Sequence, residues 1–271
     1  MSQDLRPKDL PDFKNPPLNE VMVGVQFNPA IGYSQIRAGE VWELFKSEFP
    51  LTKEQPPLPP MFETFGVPFQ QPFNFNMVTG AQHDRFWFVS KDQHELLQFQ
   101  EDRLLHNWRK LPGGKREYPR FEKIIESFEA ELTKLERYFQ TLDPQILTYN
   151  QAEITYINHI VMPREGVGSH HSDWLNTFAF GEVDADDVNC TWRRVLYDQN
   201  APFARLTLEA KTAVDIEQRK VLALTLTVRG SPIGNGIAEI VDFIKLGREV
   251  IVHEFASITT TRAHEAWNRI A

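Results

Sequence analysis

Polar aromatic and cationic side chains gather on three strand-like stretches of this 271-residue chain. His106, Asn107, Trp108 and Arg109 fall on one, Trp192, Arg193, Arg194 and Tyr197 on a second, and Asn158 with His159 on a third. Indole and phenol rings offer a flat apolar body with a polar edge, while guanidinium and imidazole groups pair with anions. On the floor of a cleft such a set would stack a planar or anionic ligand. His106, Trp108, Arg109, His159, Trp192, Arg193 and Tyr197 are therefore the candidate ligand-binding residues. The same side chains would equally suit a solvent face laced by cross-strand pairs. Both readings stay open at this level.

Other chemistry finds less support. "GSHHSDW" holds His170, His171 and Asp173, but adjacent histidines point in different directions and no H-x-x-x-H spacing accompanies them. It reads as a polar helix entrance capped by Ser172 or Asp173 rather than a metal site. "GEVDADD" places Glu182, Asp184 and Asp186 at period two, without the central glycine and distal glutamate of a calcium loop. Cys190 is the single cysteine, so it forms no internal disulfide and reads as a small buried hydrophobe. Phosphate-cradling glycine loops and the G-x-S-x-G nucleophile elbow are absent, because "GSPIGNG" has its glycines at the wrong spacing. Neither a metal nor a cofactor is expected.

Composition fits a soluble globular chain, with 41% hydrophobic and 24% charged residues. The polar N-terminus "MSQDLRPKDLPDF" lacks an apolar secretion segment, and no apolar run approaches the roughly 20 residues of a membrane span. A cytoplasmic location is expected, with no membrane partner. The net charge of −8 is spread over both halves, which argues against general nucleic-acid binding. Residues 103–120 are a local exception, with Arg103, Arg109, Lys110, Lys115, Arg116 and Arg120 against Glu117 alone. They read as a solvated hairpin or as a docking surface for an anionic partner.

The elements that must position these groups follow from periodicity. "NEVMVGVQF" is a strand; "YSQIRAGEVWELFKSEF" has helical spacing through Ile36, Val41, Trp42 and Phe45. Residues 84–110 give three strands with very short connections, and "RFEKIIESFEAELTKLERYF" is a long amphipathic helix. The order then recurs: strand "AEITYINHIV", helical turn "HSDWLNTFAF", strands "CTWRRVLY", "ARLTLEAKTAV" and "KVLALTLTV", and helix "GIAEIVDFIKLGREVIVHEF". A last helix, "TTRAHEAWNRI", has Thr260 or Thr261 as N-cap and Ala263, Ala266, Trp267 and Ile270 on one face. Residues 50–78 form a proline-rich crossover loop, since proline removes a ladder donor and restricts its neighbour. Phe62, Phe65, Phe69, Phe73 and Phe75 on it would cap the core, line a cleft or meet a protein partner.

Adding 116 to the apolar positions Phe121, Ile124, Ile125, Phe128, Leu132, Leu135 and Phe139 gives Ile237, Ile240, Val241, Ile244, Arg248, Ile251 and Phe255. Only Arg248 breaks the match. Glu20-Val21 likewise lies over Glu153-Ile154, and Trp42 with Phe45 over Trp174 with Phe178. The expected fold is α+β: two similar β-α-β-β-β-α units, residues 1–147 and 148–271, in one pseudo-twofold body. Mainly antiparallel sheet would carry helices on one side, with the short helix at the C-terminus.

"NPPLNEVMVGVQFNP", "GEVWELFKSEFP", the proline-rich segment and "HEFASITTTRAHEAW" together make the chain resemble a sporadically distributed, uncharacterised bacterial family. That likeness runs over essentially the whole chain and transfers no catalytic residue. The doubled strand-helix-strand-strand order is similar to tandem gyrase-inhibitor-like (GyrI-like) effector-binding modules. The likeness implies a central cleft for small, often cationic or aromatic ligands, which some such modules hydrolyse. The proline-rich crossover departs from that pattern.

Three functions follow as expectations. The first is a non-catalytic module holding a small molecule between two similar halves. The second is a protein-interaction partner, immunity- or antitoxin-like or defence-associated, using the phenylalanine loop and the 103–120 segment. The third is a hydrolase of a small ligand with Glu or His in the cleft.

Overall fold

The computed structural model describes residue 7 and residues 9–66, 84–113, 117–145, 147–178 and 185–271. Strand β1 (Leu18–Phe27) enters from Pro16-Pro17 and is followed by a short helix α1 (Ala38–Glu43). Next come β2 (Leu51–Gln55), β3 (Arg85–Val89), β4 (Glu95–Gln100), β5 (Arg103–Arg109) and the long helix α2 (Phe121–Leu142). The second half supplies β6 (Tyr149–Val161), β7 (Asn189–Asp198), β8 (Ala201–Val214), β9 (Lys220–Gly230), helix α3 (Ile237–Ile258) and the short α4 (Thr261–Ala266).

Among the described residues the strands form one nine-stranded sheet in the order β2-β3-β4-β5-β1-β6-β9-β8-β7. All its pairings are antiparallel. The fold is therefore α+β. The two opening strands, β1 and β6, meet at the centre, with Val23 opposite Ile154 and Val21 opposite Tyr156. Each is flanked on its other side by the last strand of its own trio, β5 or β9.

Side chains alternate across a strand, so register divides the sheet into two faces. One face presents Val21, Val23, Val25, Leu97, Phe99, Ile154, Leu206, Leu208, Leu226 and Val228, all buried. Helix α2 lays Ile124, Phe128, Leu132 and Leu135 in the same core, and α3 adds Ile240, Ile244 and Ile251. Burying each such side chain contributes about 1.5–3 kcal/mol. Helix α3 rides close because Gly247 has no side chain; a Cβ there would stand 2.7 Å from Ile154 Cγ2.

Four expectations change. Residues 51–55, assigned to the crossover loop, form the edge strand β2 against β3, and Pro56-Pro57 end it. Exposed Lys53 and Glu54 suit an edge, where charge discourages further pairing. Ile36 lies in a 3-10 turn and is 91% exposed, so it does not belong to the apolar face of α1. The helical turn expected at "HSDWLNTFAF" becomes, over its described residues, two 3-10 turns, His171–Asp173 and Asn176–Phe178. In α4 the Thr260 hydroxyl accepts from Ala263 N, as expected of a cap. Ala263 and Trp267 are buried there, while Ala266 and Ile270 face outward. No helix among the described residues is long and apolar enough to cross a membrane.

Candidate functional site

The face opposite the helices carries a straight polar row. Register places Gln100 opposite Arg103, Arg103 opposite Gln26, and Gln26 opposite Gln151. Farther along, Glu153 lies opposite Arg229 and Arg229 opposite Arg205. The proline-rich segment 56–65 crosses the strands along this row. Gln100 Oε1 accepts from Leu58 N at 2.8 Å, and its Nε2 donates to Leu58 O at 3.0 Å. Gln26 Oε1 accepts from Met61 N at 2.9 Å, and Gln151 Oε1 from Glu63 N at 3.3 Å. Arg103 donates to Pro59 O, and Arg205 to Thr64 O and to the Glu63 carboxylate at 2.7 Å.

The local reason is the sequence "QPPLPPMFE". Pro56, Pro57, Pro59 and Pro60 have no N–H, so this segment cannot join the sheet as a tenth strand. Proline also favours an extended backbone whose few donors and many carbonyls point outward. Side-chain amides, each with a donor and an acceptor, satisfy such a backbone where another strand cannot. Gln26, Gln98, Gln100, Gln151, Arg103 and Arg205 are all buried as a result.

Beneath the strap lies a chamber of about 240 Å³. Its floor includes Met22, Gln98, Leu105 and Glu153, its walls Arg85, Arg103 and Arg229, and its roof Leu58, Pro59 and Met61. The cations differ in their partners. Arg103 pairs with Asp102 at 2.9 Å, Arg229 with Glu153, and Arg205 with Glu63. Among the described residues Arg85 has no carboxylate partner, and residues 67–83 contain no Asp or Glu. Arg85 Nη1 donates to Gln98 Oε1 at 2.6 Å, while its buried Nε lacks a partner among the described residues. Burial, with the Arg103 charge alongside, pushes the Arg85 guanidinium below its ordinary range. Gln98 also accepts from Trp87 Nε1 and donates to Asn107, and Asn107 donates to Glu20 at 2.6 Å. Burial pushes the Glu20 carboxyl upward against that hydrogen bond and the Arg109 charge.

The seven ligand-binding candidates do not share one cleft. His106 and Trp108 are buried on the helix face, where His106 Nδ1 meets the Glu131 carboxylate at 2.9 Å and Trp108 lies 5.1 Å from the Tyr118 ring. Arg109 points to the opposite face, over the Trp87 ring and bonded to Gln93 O. Half-buried His159 is on that same face, and burial pushes its imidazole down. Trp192 sits on the helix face of edge strand β7, exposed Arg193 on the other, and Tyr197 lies 62% exposed beside Phe203 and Phe243. Neighbouring strand residues diverge by alternation, which splits Trp108 from Arg109 and Trp192 from Arg193.

Of the loop phenylalanines, Phe62 is 58% exposed on the strap and Phe65 lies under the Arg205 guanidinium at 5.6 Å. Phe69, Phe73 and Phe75 lie outside the described residues, as do Glu182 and Asp184. The basic 103–120 segment does not act as one patch: Arg103 is buried with Asp102, and Arg120 pairs with Asp12. His171 is buried against Thr212, and Asp173 accepts from the Gly168 and His170 backbone. No group of three His, Cys, Asp or Glu placed to hold a metal ion occurs among the described residues.

The residues that sequence reasoning missed are Gln26, Arg85, Gln98, Gln100, Gln151 and Arg229. A signal existed: Gln98 and Gln100 alternate with Leu97 and Phe99, so one face of that strand is amide-rich. The chamber can hold an anion against Arg85 with amides to orient it. Glu153, its lining carboxylate, is engaged by Arg229 and so is not poised as a general base. No protein-family model, no curated protein and no solved structure matches this chain.

Proposed function

We propose that this protein is a binding module that holds a small anionic molecule in the strap-covered chamber, where its two halves meet. The observation that carries the reading is Arg85, a half-buried guanidinium with no carboxylate partner among the described residues. A desolvated cation beside another cation is stabilised by an anionic ligand. The remaining cations of the chamber already have their carboxylates.

We infer further that the two halves of the fold share one design. Residues 1–147 and 148–271 are two copies of one β-α-β-β-β-α unit, related by a twofold between β1 and β6. Strand order supports it, since β1-β5-β4-β3 and β6-β9-β8-β7 follow the same path outward. In this reading the chain is akin to the sporadic bacterial family and to tandem effector-binding modules, and works in the cytoplasm. The strap is the departure, because it closes the central face that such modules leave open.

Differential scanning fluorimetry with a panel of small carboxylates and phosphate esters tests the function. A ligand at a hundredfold its Kd stabilises by about 2.7 kcal/mol through mass action. The shift is expected to vanish in Arg85→Gln, whose amide keeps the hydrogen bonding but not the charge. No shift across the panel, or one that survives in Arg85→Gln, defeats the proposal. A second reading rests on Met61 and Phe62, 41% and 58% exposed on the strap, as a contact for a protein partner. Capture of a host protein that Phe62→Asp abolishes and Arg85→Gln leaves intact would favour it.

A further inference from the structure

A second polar centre lies on the helix side, unconnected with the chamber. Arg248 occupies the α3 position that corresponds to Leu132 in α2, where an apolar residue would continue the stripe. It is only 4% exposed. Its guanidinium lies 4.8 Å from the centre of the Phe121 ring, and Nη2 stands 3.0 Å from Glu122 Oε1. Glu122 Oε1 itself makes no hydrogen bond among the described residues. Beside Nη2, Nε is likewise buried without a hydrogen-bond partner among the described residues.

Two phenols and an indole complete the surroundings. The hydroxyls of Tyr118 and Tyr156 stand 3.3 Å apart, so one proton serves their mutual bond and the other is available. Burial raises both phenols above their ordinary range, which keeps them protonated donors. Trp108 lies tilted at 58° against Tyr118 in the row of Val21 and Tyr156, and among the described residues its Nε1 is likewise buried without an acceptor. Unsatisfied buried donors are costly, about 1–3 kcal/mol each in proteins generally. An acceptor-rich group would relieve several at once.

A cavity of about 80 Å³ lies beside these groups. Phe13, Leu18, Phe121, Ile251 and Phe255 make it largely apolar, and the Asp12–Arg120 pair lies at its rim. We propose that this cavity binds a small organic carboxylate with an apolar body, its oxygens meeting the Nε edge of Arg248 and a tyrosine hydroxyl. Guanidinium forks match carboxylates in geometry, and the apolar wall accommodates the rest of the molecule.

Benzoate and its neutral isostere benzamide are suitable probes, read by saturation-transfer NMR and titration on the intact protein. Benzoate is expected to bind at least tenfold more tightly than benzamide. Arg248→Leu, which restores the residue type of the α2 stripe, should abolish that preference; it is combined with Glu122→Gln, because removing one member of a buried ion pair and leaving the other charged is destabilising. Should this variant fail to fold, Val252→Trp fills the cavity while leaving Arg248 in place, and is expected to exclude both probes. Equal binding of benzoate and benzamide, no benzoate binding at millimolar concentration, or benzoate binding unaltered in a folded variant would overturn the assignment.

Discussion

The two faces of the sheet are closed by opposite means. On one, α2 and α3 lay aliphatic and aromatic side chains over Val21, Val23, Ile154 and Leu226, and hydrocarbon packing dominates around the buried His106–Glu131 and Arg248–Glu122 pairs. On the other, a proline-rich strap is bound through its backbone by Gln100, Gln26, Gln151, Arg103 and Arg205. Hydrocarbon closure is nondirectional and strong, and each buried methylene adds to it. Amide closure is directional and individually weak, because every bond replaces one that water had made. The helix face should behave as the stable foundation, and the strap as a cover that opens locally.

Mutations that truncate each face break this comparison if it is wrong. Phe128→Ala removes a fully buried ring under α2 and should destabilise the fold by about 3–5 kcal/mol in denaturant titration. A loss below about 1 kcal/mol would mean that the helix face is not the foundation. Gln26→Ala strips Met61 N and Asn150 Oδ1 of their partner and should cost about 1–3 kcal/mol. Hydrogen exchange sharpens this one: the Leu58, Met61 and Glu63 amides should exchange faster, while the paired strand amides of β1 and β6 hold.

The smallest effect is a pH dependence. Burial lowers the imidazoles of His159 and His264 below 6.5, with the Arg269 charge adding to the second. The unfolded chain then binds more protons than the native chain as pH falls through 6.5, so stability present above that value is lost below it. His159 is half-exposed, and solvent screening keeps its share small. Melting temperature measured against pH should slope down toward acid, less so in His159→Gln. A slope of the opposite sign would mean that protonated His159 is favoured by Asp215 over its burial.

The comparison also explains what could be read in advance. Period-two alternation in β8 and β9 and helical spacing in α2 and α3 survive because hydrocarbon burial is local in its demands: an apolar residue every second or every third to fourth position is enough. The same rule located the chemistry poorly. His106 looked like a cleft residue, yet its strand position turns it inward against Glu131. Arg85 and Gln98 looked like ordinary polar strand residues until the strap covered them. Arg248 was visible as the one break in the matched helices, but nothing along the chain revealed the Tyr118–Tyr156 pair across from it.

Residue order by itself determined most of the elements, the antiparallel class and which strand positions share a face, because these depend on neighbours one to four residues away; the edge strand β2 escaped it. Tertiary structure alone decided which face the helices cover, where the proline-rich segment lies and which cation is left without a carboxylate among the described residues. Those outcomes hang on contacts between residues as distant as Arg205 and Glu63, whose meeting is set by global packing and leaves no periodic trace in the chain.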